Sequence, residues 1–225
     1  MKRRPRLYFS FRSPYSWLAV RRLREVVPDL SSAFDCMPYW DPDEQTSAGL
    51  KARGGEFHYV QMSRAKHLYM LMDTKRLAAA HGITMAWPVD IDSWWELPHL
   101  AWLYARTQGR EWEFYDAVVA ARWGRAEDIC TRPVIEAAAV RAGLDPSAAV
   151  LDEPERRAEG VECLYRAYLD DVFGIPYLKW GPHRFWGVDR VEPFLSMWPA
   201  PPVPEPAAVA PGRQAYDTDT AGGCG

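Results

Sequence analysis

The spacing of apolar positions changes along the chain, and each change predicts an element. Arg6-Leu7-Tyr8-Phe9-Ser10-Phe11 is apolar and aromatic and reads as a short buried strand. Ser13-Pro14 follows, a favoured helix cap with a proline at the first helical position. Trp17, Leu18, Val20, Leu23 and Val26 then recur near helical spacing, which predicts a helix from Tyr15 to Val27. The link between strand and helix is Arg12-Ser13. Ala33 to Trp40 reads as a second strand, so the chain opens as β-α-β, parallel and right-handed. Residues 41–60 are polar and contain Gly49, Gly54 and Gly55, which predicts a long loop.

From Ser63 to about Val172 the pattern is helical. Leu68, Leu71, Met72, Ala78 and Ala79 form one stripe, stopped by Gly82. Trp94–Arg106, Trp112–Arg122, Ala126–Ala142 and Glu155–Val172 are further helical stretches, separated by Gly109, Gly124, Gly143 and Pro154. Short strands then return at Tyr177–Trp180 and His183–Trp186, around a Gly181-Pro182 turn, before a last helix from Asp189 to Trp198. The order is β-α-β, helical block, β-β-α. It predicts an α/β thioredoxin-like fold with a helical domain inserted between its halves. Residues 1–60 and 173–198 would form the thioredoxin-like domain, and residues 61–172 the insertion. Six prolines between Pro199 and Pro211 open a tail, residues 199–225, expected to be flexible or docked as a strap.

Composition narrows the function. The chain has 225 residues, 48% of them hydrophobic, which suffices for a sizeable core. A net charge of −3 at pH 7 argues against nucleic acid as a partner. No run of 18 apolar residues predicts a membrane span, and the basic start lacks the apolar stretch of a secretory signal. A cytoplasmic protein is expected. The cysteines, at 36, 130, 163 and 224, have no metal-knuckle or C-x-x-C spacing. They read as three reduced, mostly buried thiols and one in the tail. The five histidines form no metal-binding pair, so no metal is expected. Phosphate loops, dinucleotide fingerprints and nucleophile elbows are absent.

Chemistry is expected at the first strand–helix turn, where unpaired N–H groups favour an anion. Ser13-Pro14-Tyr15-Ser16 stands there. Dithiol exchange would need cysteines at 13 and 16, so that reaction is excluded. A serine hydroxyl can still donate to an anionic sulfur brought by a bound thiol, or it can be a simple cap. A thiol of pKa about 8.5 is only about 3% ionised at neutral pH. Lowering that pKa by about 2 units needs roughly 2.7 kcal/mol. One charge-assisted hydrogen bond of about 1.5–3 kcal/mol and a helix N-terminus of about 0.3–1 kcal/mol are enough. A cis bond at Ile175-Pro176 would leave the Ile175 backbone open to an extended, peptide-like ligand. Asp189 is either a cap or an acceptor for a ligand ammonium group. Trp87, Trp94, Trp95 and Trp102 offer either an aromatic pocket or ordinary core packing.

Four stretches together resemble the 2-hydroxychromene-2-carboxylate isomerase and kappa-class glutathione transferase family, within the DsbA-like thioredoxin superfamily. They are Phe9 to Ala19; Lys66, Tyr69, Met70, Asp73, Arg76 and Ala78, with Gly82 and Pro88 in step; Phe173-Gly174-Ile175-Pro176; and Phe185-Trp186-Gly187-Val188-Asp189-Arg190. The chain departs from the family pattern after the second strand. Tyr39-Trp40-Asp41-Pro42 stands where relatives carry a Gly-Gly loop with an Asn, and the chain contains no Asn.

The resemblance implies Ser13 as the catalytic residue that activates the sulfur of glutathione or another small thiol. It implies that Ile175, with Pro176, pairs through its backbone with the cysteinyl part. Val188, through its backbone, and Asp189 would hold the γ-glutamyl end. Tyr15, Lys66, Tyr69 and Trp87 would line the pocket of a small aromatic or polyketide-like substrate. In such an isomerase the thiolate adds reversibly to a conjugated substrate, allows bond rotation or ring reclosure, and leaves. A homodimer is also implied. Three alternatives remain open from the residues: kappa-type conjugation of glutathione, a thiol-independent isomerase using Ser13, Lys66 or Asp73, and a non-catalytic binding protein.

Overall fold

A computed structural model describes residues 4–58 and 62–198. Strand β1 (Arg6–Phe9) runs into helix α1 (Pro14–Val26), and the short helix α2 (Leu30–Ala33) leads to strand β2 (Asp35–Pro38). Near the far end of the chain, β3 (Tyr177–Trp180) and β4 (His183–Trp186) form a hairpin. The sheet order is β2-β1-β3-β4, with β1 parallel to β2 and antiparallel to β3. Tyr8 faces Tyr177, so Phe9 and Pro176 lie one step further along the same register. The antiparallel pairing therefore brings the C-terminal end of β1 and the start of β3 to the same end of the sheet.

Between the halves run α3 (Glu44–Ala52), α4 (Arg64–Ala80), α5 (Glu96–Thr107), α6 (Glu111–Val119), α7 (Arg132–Arg141), α8 (Pro146–Ala149) and α9 (Pro154–Leu169). A 3-10 turn (Val188–Arg190) precedes the last helix, α10 (Val191–Met197). One aromatic core crosses from sheet to helices. Phe9 meets Trp102 of α5 edge-on at 5.1 Å and Tyr115 of α6 at 5.6 Å. Edge-to-face rings gain attraction beyond the area they bury.

The predicted strand, helix and strand at the start are present, with both strands shorter than expected. The connecting turn is Ser10–Ser13 rather than Arg12-Ser13 alone.

The long loop expected over 41–60 is wrong, because residues 44–52 form α3. Asp43 caps that helix by accepting from the Thr46 N–H at 2.9 Å. Its carboxylate also takes two 2.9 Å bonds from Arg157 of α9. Gly49 reads as a loop residue in sequence, yet a Cβ there would come within 2.9 Å of Val161. It marks a close helix–helix approach.

The stripe predicted on α4 does not face the core. Only Thr74 and Ala78 are buried, while Leu68 and Met72 are 46% and 63% exposed. A helix lying on the surface beside α1 needs no apolar stripe to hold it.

Other helix boundaries differ, and the helix expected over Glu155–Val172 ends at Leu169. Trp94 precedes α5. The stretch to Arg122 leaves α-geometry at Ala120 and forms a π-turn through Gly124. The stretch from Ala126 starts helically only at Arg132, because Pro133 is accommodated in a first turn.

Cys36 and Cys163 are buried free thiols and Cys130 is half-buried. The expectations for Cys224 and for the proline-rich tail lie outside the described residues.

Candidate active site

The turn that carries Ser13 is built by local bonds. Ser13 is the N-cap of α1, and its Oγ accepts from the Ser16 N–H at 3.2 Å. That bond uses an oxygen lone pair and leaves the Ser13 O–H to donate outward. The Ser13 N–H itself donates to the Ser10 carbonyl at 3.3 Å. Ser16 is fully buried, and its Oγ has no hydrogen-bond partner among the described residues.

The Ile175-Pro176 bond is cis. Among the described residues the Ile175 N–H and C=O pair with no other backbone group. The Pro176 carbonyl accepts from the Gly187 N–H at 3.0 Å. Gly187 has φ +102°, a backbone that suits glycine. This bond sets Val188 and Asp189 beside the cis segment. Asp189 lies in the 3-10 turn rather than at the start of α10, exposed and paired with Arg190 at 2.6 Å.

Asp170 anchors the approach to this segment. At the end of α9 it accepts from Tyr8 at 2.6 Å and Lys179 at 2.8 Å, and it pairs with Arg6. Burial alone would push its carboxyl up, but the bonds from Arg6, Lys179 and Tyr8 hold it below the ordinary carboxylate range.

The expected pocket residues separate into two groups. Tyr15 donates to Asp73 at 2.8 Å and so ties α1 to α4. Tyr69 and Arg76 meet the other oxygen of Asp73, at 3.5 and 3.0 Å. Lys66 sits two turns earlier on α4, exposed.

Trp87 belongs to a different wall. The Ala86 N–H bonds to the Trp123 carbonyl in the π-turn, at 2.8 Å, and brings the Trp87 ring to 5.7 Å from Trp123. Trp17 stacks on Trp123 at 6.0 Å and 15°. The other tryptophans divide the same way. Trp102 is fully buried core, and Trp94 donates to Asp43 at 3.1 Å.

Several residues at this site were not singled out from the sequence. Arg122, on the π-turn, bonds both oxygens of Asp90 at 2.9 and 2.8 Å and lies between Trp95 and Trp123. Arg12 pairs with Asp41 and also approaches the Trp95 ring at 5.4 Å. Burial pushes the Asp41 carboxyl up, against the pull of Arg12. His99 of α5 lies fully buried beneath the Ser10–Ser13 turn, and burial lowers its pKa to about 3. The clustered tryptophans were the available signal for this region, but the π-turn and the lone histidine had none.

Two hollows lie elsewhere. One of about 530 Å³, lined by Trp17, Arg21, Arg24 and Tyr115 among others, lies between α1 and α6. One of about 340 Å³, lined by Arg4, Cys36, Arg106 and Glu111 among others, lies near the start of β2. Neither includes Ser13, Ile175 or Asp189. Among the described residues, no helix is long and apolar enough to cross a membrane.

Comparison with known proteins bears on this geometry. Residues 6–197 match the model of the DSBA-like thioredoxin domain. The chain is 29% identical over 196 residues to a 2-hydroxychromene-2-carboxylate isomerase of Sphingobium xenophagum, covering 85% of this chain and 95% of that protein. It is 25% identical over 191 residues to a 2-hydroxychromene-2-carboxylate isomerase of Pseudomonas putida, covering 82% and 88%. A solved 2-hydroxychromene-2-carboxylate isomerase superposes with TM-score 0.67 at 22% identity, over 86% of this chain and 93% of that one. A probable DsbA oxidoreductase from Streptomyces coelicolor gives TM-score 0.62 at 17% identity, over 94% and 97%. At those identities the structural likeness is one of fold. With the family model spanning nearly all of the described chain, from β1 to α10, the chain belongs to the DSBA-like thioredoxin domain family.

Proposed function

We propose that the protein is an isomerase of the 2-hydroxychromene-2-carboxylate isomerase type, acting on a small aromatic or polyketide-like metabolite with glutathione or another low-molecular-weight thiol as cosubstrate. The observation that carries this reading is Ser13. A hydroxyl with its proton free to donate caps α1, at the end of the sheet where the cis Ile175-Pro176 bond enters β3. Serine at both 13 and 16 removes the dithiol that a disulfide oxidoreductase would need. The two curated relatives, both named as isomerases, agree with it.

The donor set fits a γ-glutamyl-cysteinyl thiol. Ile175 offers an unpaired backbone N–H and C=O for an extended peptide. Asp189 offers an exposed carboxylate for an ammonium group, because a surface pair with Arg190 is weak enough to be exchanged. When bound, the thiol supplies a sulfur nucleophile that can add reversibly to a conjugated system. Ser13 donates its O–H to the sulfur and favours the anion, helped by the positive end of α1, where Pro14 has no N–H, the Ser16 N–H is given to Ser13, and the Tyr15 N–H remains. Trp17 and Trp87, both half-buried and packed on the buried Trp123, would give a planar substrate an aromatic wall.

The test is a calorimetric titration of glutathione into the full chain and into Ser13→Ala, followed by product analysis with a 2-hydroxychromene-2-carboxylate. Saturable binding, and isomer interconversion that depends on catalytic thiol and on Ser13, support the reading. Accumulation of a stable thioether would assign conjugation instead. Isomerisation without any thiol would assign a thiol-independent route.

A further inference from the structure

Beneath the turn that presents Ser13, the His99 ring is occupied on every edge. Its Nδ1 lies 2.6 Å from the Trp95 carbonyl oxygen. A carbonyl only accepts, so the ring proton is on Nδ1. Nε2 is then a lone pair. It faces the Phe11 N–H at 3.2 Å and the Ser10 hydroxyl at 3.1 Å. The other neutral tautomer, and the charged ring, would set an N–H against the Phe11 N–H.

Ser10 passes the constraint on. Its Oγ, with the O–H given to His99, accepts from the Arg12 N–H at 3.2 Å. Its carbonyl accepts from the Ser13 N–H at 3.3 Å. Trp40 stacks on the imidazole at 5.0 Å and 12°, and the Phe11 ring lies 5.4 Å away. One side chain of α5 therefore organises the backbone donors at 11, 12 and 13, directly or through Ser10.

We propose that His99 is a positioning residue: its Nε2 lone pair, shared by Phe11 and Ser10, holds the Ser10–Ser13 turn so that the Ser13 hydroxyl points at the bound sulfur. The inference rests on the reading of Ser13 as the thiol-activating group. The imidazole touches neither thiol nor substrate in this role. Without the acceptor, two buried donors lose their partner and the turn must re-form around others. A displacement of about 1 Å in such a group can cost about 100-fold.

The experiment reads the thiol pKa of bound glutathione from the ultraviolet absorption of the thiolate, in the full chain and in three variants. His99→Phe keeps a ring of similar size and removes the acceptor. His99→Gln places an amide oxygen near the former Nε2. Ser10→Ala removes the hydroxyl that links His99 to the Arg12 N–H and leaves α5 intact. The wild-type protein is expected to raise the thiolate-to-thiol ratio about 100-fold over free glutathione, a shift of about 2 units. His99→Phe is expected to lose at least about tenfold of that ratio. His99→Gln should recover most of the loss, and Ser10→Ala should fall between.

A folded His99→Phe with the wild-type thiol pKa overturns the inference, as does an equal loss in His99→Phe and His99→Gln. If His99→Phe does not melt cooperatively, Ser10→Ala decides, and an unchanged thiol pKa there overturns it. A wild-type protein that binds glutathione without shifting its pKa, or does not bind it, overturns the reading of Ser13 and takes the role of His99 with it. A shift in wild type that survives in the variants removes His99 alone.

Discussion

The Tyr15 hydroxyl donates to Asp73 Oδ2 at 2.8 Å, across 58 residues of sequence, and joins the first turn of α1 to α4. Helix α4 buries only Thr74 and Ala78, so this polar contact substitutes for an apolar stripe. The bond from Tyr15 and the guanidinium of Arg76 hold the Asp73 carboxyl below its usual range. Tyr15→Phe is expected to cost about 1 kcal/mol of stability. Amide exchange over residues 64–80 should rise while the strands stay protected. Because the pKa of Asp73 in the folded state is lowered, its contribution is complete above the unfolded value of about 3.9. It is lost as the pH falls through the lowered one. Wild type and Tyr15→Phe should therefore converge in urea denaturation at acid pH.

Asp170 gathers Arg6, Tyr8 and Lys179 at the junction of α9 and the sheet. Asp170→Asn leaves two largely buried cations without their carboxylate. A loss of about 3–5 kcal/mol at neutral pH is expected. The folded pKa of Asp170 is also lowered, so the gap between wild type and variant should hold above about pH 4 and close below it. Urea unfolding at a series of pH values checks both the size and the direction.

Ser13 has two duties, as a cap for α1 and as the proposed donor to sulfur, and they can be separated. Ser13→Ala is expected to cost about 1 kcal/mol, whereas Ser13→Gly should cost only a few tenths. Both should lose the shift in the thiol pKa equally. A Ser13→Gly protein with near-native melting and no thiol activation would show that the hydroxyl acts on the ligand as well as on the helix.

Gly160 of α9 touches the Trp40 ring that covers His99. A Cβ there would lie 3.0 Å from Trp40 and 3.1 Å from Leu100. Alanine gains about 1 kcal/mol in helix propensity. Overpacking a filled core costs about 1–3 kcal/mol. Trp40 is itself stacked on His99 and cannot easily withdraw. Gly160→Ala should therefore be destabilising by about 1 kcal/mol in net terms, measured by chemical denaturation. The Trp40–His99 stacking should also be disturbed, visible as a shift in the His99 imidazole resonances.

What the sequence determined alone was whatever neighbours in the chain decide. Ser13-Pro14 caps a helix through a bond three residues long, and the apolar, aromatic run from Leu7 to Phe9 makes a short buried strand. The β-α-β and β-β-α halves, and the turn between β1 and α1, were legible for that reason. Gly49 misled because its meaning depends on Val161, and the α4 stripe misled because burial is a property of what packs against a helix. His99 had no sequence signal, since its partners at 10, 11 and 40 become neighbours only when α5 lies under the turn. The π-turn carrying Arg122 and Trp123, the network at Asp170 and the placing of the Ser13 turn and Pro176 at one end of the sheet belong to the tertiary structure too. Hydrogen bonds and ring contacts reach only a few ångströms, and folding chooses which distant residues come within that reach.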